Sequence, residues 1–265
     1  MAGSHYIVIN PICGSGKGRK DWPRVADLLS RAGLAFEHVF TGREGHARDL
    51  VRDALERGFR NILVSGGDGT VNEAVNGIFG QQKAAPGEVT MGLIPVGTGN
   101  DWMRTMSMPG EYDQAVAAIC NRKIVCQDVG LATYYHQGEQ KRRYFANVAG
   151  MGYDAFVARR TNESKKKKFG KSLFYLLNLF SCLLEYKSTD VTITIDGQSR
   201  TDRVFSLNVG ICRYNGGGMM QVPHAVPDDG QFGITVIRHM GVVEIIRNVK
   251  NLYDGSFVNH PKVDT

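Results

Sequence analysis

The stretch NILVSGGDGTVNEAVNGIF, Asn61 to Phe79, joins two hydrophobic periods across a turn that contains three glycines. Asn61 to Ser65 is a short apolar, β-branched run ending in turn residues, as a buried parallel strand does. Beyond the glycines, Val71, Ala74, Val75 and Ile78 fall at i, i+3, i+4 and i+7, one face of a helix. Gly66, Gly67 and Gly69 permit close approach to the backbone, and a helix starting near Thr70 aims its partial positive charge at the same point. A phosphate fits there. Asp68 is the informative residue, because a carboxylate beside phosphate is repelled unless a cation mediates or it takes a proton. Mg²⁺ binds through one or two carboxylates plus phosphate oxygens, so one aspartate is a sufficient count. The competing account is that Asp68 only caps its helix.

Working outward, Tyr6 to Ile9, Ala35 to Phe40 and Thr90 to Ile94 are strand-like runs of the same kind. Helical spacing recurs between them in Val25, Leu28, Leu29 and Ala32 and in Ala47, Leu50, Val51 and Ala54. Strand and helix in alternation predict right-handed crossovers and a doubly wound α/β domain. After about Asp128 the pattern turns to extended segments: Lys123 to Ala132, Tyr144 to Val148, Asp190 to Asp196, Arg203 to Ile211 and Phe232 to Arg238. The expectation is an α/β domain over 1–128 followed by an antiparallel β-sandwich over 129–265. One helix, Lys171 to Tyr186, interrupts the second half, just after the tetralysine run Lys165 to Lys168. Arg159, Arg160 and that basic run, beside the apolar helix, read either as a dock for anionic lipid headgroups or as a solvated loop.

Two more glycine-rich turns follow first-half strands, where ligands bind in open α/β sheets. Asn10-Pro11-Ile12-Cys13-Gly14-Ser15-Gly16-Lys17-Gly18 departs from a P-loop at Pro11 and Gly18, so it is either a phosphate cradle of its own kind or a plain turn. In Pro95-Val96-Gly97-Thr98-Gly99-Asn100-Asp101-Trp102, the Thr98 hydroxyl can reach a phosphate, and Asn100 with Asp101 can fix the opposite loop or the substrate. A strand-to-helix cap is the alternative.

Composition narrows the classes. The 265 residues are 42% hydrophobic and 22% charged with 32 Gly and 8 Pro, which excludes disorder, collagen and coiled coil and favours two domains. A formal charge of +6 favours anionic partners. Five cysteines without C-x-x-C spacing point to reduced thiols in a cytoplasmic protein. The amino terminus has no basic n-region, so no signal peptide is expected. The apolar stretch Leu173 to Leu184 is too short to span a membrane. The seven histidines include no H-E-x-x-H, and there is no G-x-S-x-G elbow.

The order of motifs is distinctive. GGDGTVNE with PVGTGNDW downstream and NP-x-x-G-x-G upstream resembles the catalytic domain of diacylglycerol kinases, shared with sphingosine and ceramide kinases and soluble bacterial lipid kinases. The resemblance runs on through RYFANVAGMGYDAFV and GGGMMQVPHAVPDDGQFGITVI, covering about Tyr6 to Arg238. GGDG alone also occurs in NAD kinases and phosphofructokinases. The resemblance implies ATP in the crevice of the first domain, contacted by Asn10, Pro11, Ile12, Cys13 and Gly14, by Thr41, and by Gly66, Gly67, Asp68, Gly69, Thr70, Val71, Asn72 and Glu73. Thr98 and Asn100 would complete that set. It implies that Asp68 is catalytic and holds Mg²⁺, and that a structural Mg²⁺ sits on Val226, Asp229 and Gln231 in the turn Pro223 to Gln231. An acidic turn without metal is the alternative for those three.

The family continues through a last β segment with Asp-Gly-Glu, whose acid is the proton acceptor in the soluble bacterial enzymes. Here the only later Asp-Gly is Asp254-Gly255, so either the chain is a fragment of a longer enzyme or the base comes from elsewhere. The reading is an ATP- and Mg²⁺-dependent kinase of a diacylglycerol-like lipid, cytoplasmic and peripheral to the membrane, without nucleic acid and with a homodimer left open. The rivals are an NAD kinase-like enzyme and a non-catalytic lipid-binding relative. Asp68→Asn is expected to abolish turnover with little loss of folding.

Overall fold

The computed structural model describes residues 3–97, 99–165 and 181–265. Thr98 and most of the expected helix Lys171 to Tyr186, with Lys166 to Lys168 before it, lie outside the described residues; 181–185 are helical. The chain divides into two compact units, the first running to Asn147 and adding Tyr214–Gly218 and Pro227–Gly230, the second taking the rest.

In the first unit, β1 (His5–Ile9), β2 (Phe36–Phe40), β3 (Asn61–Gly66) and β4 (Thr90–Pro95) form an all-parallel sheet in the order β2-β1-β3-β4. Val8 stands opposite Val39 on one side and Val64 on the other. Ile7, Val8, Ile9, Ile62, Val64 and Ile94 are completely buried, because helices cover both faces of a parallel sheet. Each such side chain contributes roughly 1.5–3 kcal/mol relative to exposure. The edge strand β2, FEHVF, is only half-buried at Phe36, Val39 and Phe40 instead. The connecting helices are α1 (Cys13–Lys20), α2 (Trp22–Arg31), α3 (His46–Glu56), α4 (Asp68–Phe79), α5 (Asp101–Thr105) and α6 (Tyr112–Cys120). Val25 and Leu29 of α2 and Val116 of α6 pack with Ile7, Ile9 and Ile94 in one core.

The hairpin of β5 (Gly130–His136) and β6 (Glu139–Phe145) closes through Gln137 and Gly138, at φ 53° and 82°. Those left-handed angles match a tight two-residue hairpin turn. The expected strand from Lys123 therefore begins only at Gly130. Before it, side chains bind this segment in place of a ladder: Gln127 accepts from the Trp102 indole (2.7 Å) and donates to the Ala146 carbonyl (2.6 Å). The expected strand Tyr144 to Val148 is likewise broken between β6 and β7.

In the second unit, β7 (Val148–Gly152), β8 (Thr189–Ile195), β9 (Gln198–Gly210), β10 (Gly233–Arg238) and β11 (Val263–Asp264) build an antiparallel sheet around the 13-residue β9. An α/β domain followed by an antiparallel β domain is the expected class. The helical pattern after Met240 forms α8 (Val242–Asn248), and Val263–Asp264 then pairs with β10. Helix α7 (Tyr153–Lys165) was not foreseen, since its residues carry no continuous apolar stripe. Aromatic contacts hold it, including Tyr153 stacked on Phe205 at 4.7 Å.

Candidate active site

In the order β2-β1-β3-β4 the chain leaves β1 toward one edge and β3 toward the other, which makes the carboxyl ends of β1 and β3 a topological switch point. Crevices form at such points. Here the three glycine-rich turns meet. A Cβ on Gly14 would lie 2.3 Å from the Val96 carbonyl oxygen, which puts the first turn against the third. A Cβ on Gly97 would lie 2.8 Å from Gly67 Cα, which puts the third against the second. Asn10 ties the first to the second: its Nδ2 donates to Thr70 Oγ1 (3.1 Å), while its Oδ1 accepts the Ile12 N–H (3.2 Å). Gly14, Ser15 and Gly16 run through left-handed φ of 59°, 61° and 92°. For Ser15 that conformation costs about 1–2 kcal/mol, the kind of strain found at ligand loops.

Asp68 opens α4, yet its carboxylate caps a different helix. Oδ2 accepts the Asp101 N–H and Oδ1 the Trp102 N–H, both at 3.0 Å, at the start of α5. Asp101 repeats the arrangement one step on: buried, it accepts N–H groups from Gly217 and Gly218, each at 2.7 Å. Gly217 and Gly218 have φ of 88° and 101°, a left-handed turn that glycine adopts without penalty and that aims successive N–H groups at one carboxylate. Burial pushes the Asp101 carboxyl above its ordinary pKa; the Gly217 N–H opposes the rise and the Asp68 charge adds to it. Asn100, left-handed at φ 50°, donates to the Gly97 carbonyl (2.9 Å), and its buried Oδ1 has no hydrogen-bond partner among the described residues.

The remaining expected residues separate into two groups. Thr41, whose N–H donates to the Ile9 carbonyl (2.8 Å), sits at the carboxyl end of β2 near the ring of turns; Gly66, Gly67, Gly69, Thr70 and Val71 belong to the second turn and its helix. Cys13 Sγ lies 3.7 Å from where a Gly67 Cβ would be. Ile12 is 79% exposed, and Pro11 is half-buried. Asn72 and Glu73, by contrast, spend their side chains on scaffolding. Glu73 accepts the Gly45 and Ala47 N–H groups (2.9 and 3.0 Å) and so caps α3, and Asn72 accepts from Arg143 (3.0 Å). Asn76, which the motifs do not include, exchanges hydrogen bonds with the Tyr144 backbone at 2.8 and 2.9 Å.

Val226, Asp229 and Gln231 are all exposed. Between the first and the last of them, the Pro227 carbonyl accepts the Asp128 N–H (2.8 Å) and Asp128 Oδ2 accepts the Gly230 N–H (2.7 Å). Among the described residues no three His, Cys, Asp or Glu side chains cluster as metal ligands. The second unit holds a polar cluster that no motif announced. Asp154 accepts from Ser206 Oγ, from Asn208 Nδ2 (3.2 Å) and from Gln221 Nε2 (2.9 Å), with its three partners buried.

Residues 4–132 match the family described as diacylglycerol kinase catalytic domain, and residues 147–265 match the YegS C-terminal NAD kinase beta sandwich-like domain. A protein of Staphylococcus haemolyticus named diacylglycerol kinase is 31% identical over 257 residues, 97% of this chain and 74% of that protein. One of Staphylococcus carnosus with the same name is 30% identical over 97% of this chain and 80% of its own. A solved structure from Bacillus anthracis described as a diacylglycerol kinase superposes with a TM-score of 0.69 at 22% identity, covering 99% of this chain and 82% of that one. At that identity it speaks for the fold alone. In the described residues no helix is long and apolar enough to cross a membrane.

Proposed function

The chain belongs to the diacylglycerol kinase family, and from that premise we propose that it transfers the γ-phosphoryl group of ATP to a hydroxyl of a diacylglycerol-like lipid, giving a phosphatidate-like product. The observation that carries this reading is the ring of three glycine turns at the switch point, with the Asp68 carboxylate held among them by two backbone N–H groups.

A nucleotide with Mg²⁺ fits the residues present. Gly14 and Gly97 leave no room for a side chain because the neighbouring turns pack against them, which brings the three turns close enough for their backbone to face one phosphate chain. Asp68 and Asn100 Oδ1, the latter without a hydrogen-bond partner among the described residues, are oxygen donors suited to a hard cation. A carboxylate offers about four acceptor positions, and among the described residues one on each Asp68 oxygen is taken. Asp68 would hold the metal, which when bound neutralises charge on the phosphate oxygens.

Phosphoryl transfer needs positioning and electrostatics more than covalent help. The glycine turns bind and orient the phosphates, and Asn10 keeps the first turn in register with the start of α4. In this reading Asp68 also takes the proton of the acceptor hydroxyl. The two N–H bonds fix its orientation before substrate arrives, so little reorganisation remains at the moment of transfer.

The test is incubation with γ-labelled ATP, Mg²⁺ and a panel of dispersed lipids. The expected result is label in a phosphatidate-like product from diacylglycerol. Label in no lipid of the panel, or label in NAD rather than lipid when NAD is added to the same mixture, would overturn the assignment.

A further inference from the structure

The β5–β6 ribbon has a surface that neither the fold nor the phosphate site uses. Tyr135 is 74% exposed, Tyr134 45% and Leu131 42%. Its cations are Lys141, Arg142 and Arg143, against one anion, Glu139. Glu139 pairs with Lys141, and Arg143 binds Asn72. Arg142 is exposed and makes no ion pair or hydrogen bond among the described residues.

The register sorts these side chains. Thr133 faces Arg142 and Tyr135 faces Gln140, so alternation puts Leu131 and Tyr135 on one face, each a diagonal neighbour of Arg142 on the facing strand. Tyr134 stands directly opposite Lys141 on the other face. Each face thus presents an aromatic ring beside a cation. A protein partner docking on one face gives no reason for the second pair, whereas a layer of lipid headgroups wets both faces of a ribbon tip. Tyrosines favour the headgroup level, and basic side chains there gain from anionic phosphates.

We infer that the β5–β6 ribbon is the membrane-contact element of this protein, with Arg142 and Tyr135 docking on the anionic phosphate headgroups of a bilayer. The inference rests on the lipid-kinase reading, which requires a lipid surface to be met.

The experiment is co-sedimentation of the full chain with vesicles of mixed phosphatidylglycerol and phosphatidylcholine. Arg142→Ser is expected to weaken binding about fivefold, and adding Tyr135→Ser to weaken it further. Arg31→Ser removes the same charge from an exposed site on α2 and is expected to leave affinity nearly unchanged. Turnover of a soluble short-chain diacylglycerol should be the same in the double variant and the wild type, while turnover of vesicle-borne diacylglycerol falls. Equal losses for Arg142→Ser and Arg31→Ser would overturn the proposal. So would wild-type affinity in the double variant, absence of vesicle binding by the wild type, or loss of a dimer with vesicle affinity kept. If neither form of diacylglycerol is phosphorylated, the kinase reading fails and sedimentation alone still decides the docking surface.

Discussion

Asp68 and Asp101 in the first unit and Asp154 in the second are all carboxylates held by donors of their own unit, but the donors differ in kind. Asp68 and Asp101 are held by consecutive backbone N–H groups, at the start of α5 and in the glycine turn at 217–218. Asp154 is held by three side chains 52 to 67 residues away in sequence. A backbone pair is set by its own helix start or turn, even where, as for Asp101, it lies 116 and 117 residues away, and it leaves a carboxylate both fixed and still able to accept. Side-chain donors converge only after the sheet is assembled, and they make Asp154 a knot between α7 and β9. The first arrangement suits a ligand site. The second suits stability.

That contrast can be broken by substitution. The largest expected effect is on turnover: Asp68→Asn should lower kcat by roughly 10²–10⁴ if the carboxylate takes part in proton transfer. The same change also costs about 1 kcal/mol of stability, because an amide NH₂ now faces one of the α5 N–H groups; this revises the sequence-based expectation of little loss of folding. Next is Asp154→Ala, which removes the acceptor shared by Ser206, Asn208 and Gln221. At about 1–3 kcal/mol for an unsatisfied buried group, it should lower stability by ~3 kcal/mol or more in denaturant titration. The hydrogen bonds of Asp154 go to Ser206, Asn208 and Gln221 and not to the glycine turns, so the folded fraction of that variant should keep wild-type ATP affinity.

Gly14→Ala is smaller in stability and selective in function. Its Cβ would meet the Val96 carbonyl at 2.3 Å, so the first and third turns must part. A cost of about 1–3 kcal/mol and at least tenfold weaker ATP binding by calorimetry are expected. The smallest effect is one of pH. Because burial raises the Asp101 carboxyl, the native state keeps that proton to higher pH than the unfolded chain. Its contribution therefore makes stability fall as pH rises from the ordinary carboxylate pKa, about 3.9, through the raised native one. Asp101→Asn should remove that part of the pH–stability slope, and an unchanged slope would show that the group titrates normally.

How legible each region was in sequence follows from the same difference. Strands β1 to β4 and the glycine turns could be read because their signals are local: apolar runs, helical spacing, and glycines where the backbone must pass closely. The convergence of the turns followed from topology. What could not be read was which partner each polar side chain would choose. Glu73 looked like part of the phosphate loop and caps α3 instead; Asp68 looked able to cap its own helix and caps α5. The Asp154 cluster gave no signal, since Ser206, Asn208 and Gln221 are ordinary residues until β9 lies beside α7. Helix α7 was missed for a related reason, its face being set by scattered aromatics rather than by an apolar stripe.

The most direct test of the central claim is a paired measurement on wild type and Asp68→Asn: the rate of labelled phosphate transfer from ATP to diacylglycerol in mixed micelles, taken at saturating ATP and matched folded fraction. The account predicts transfer by the wild type and a loss of at least a hundredfold in the variant. Equal rates in the two proteins would contradict it.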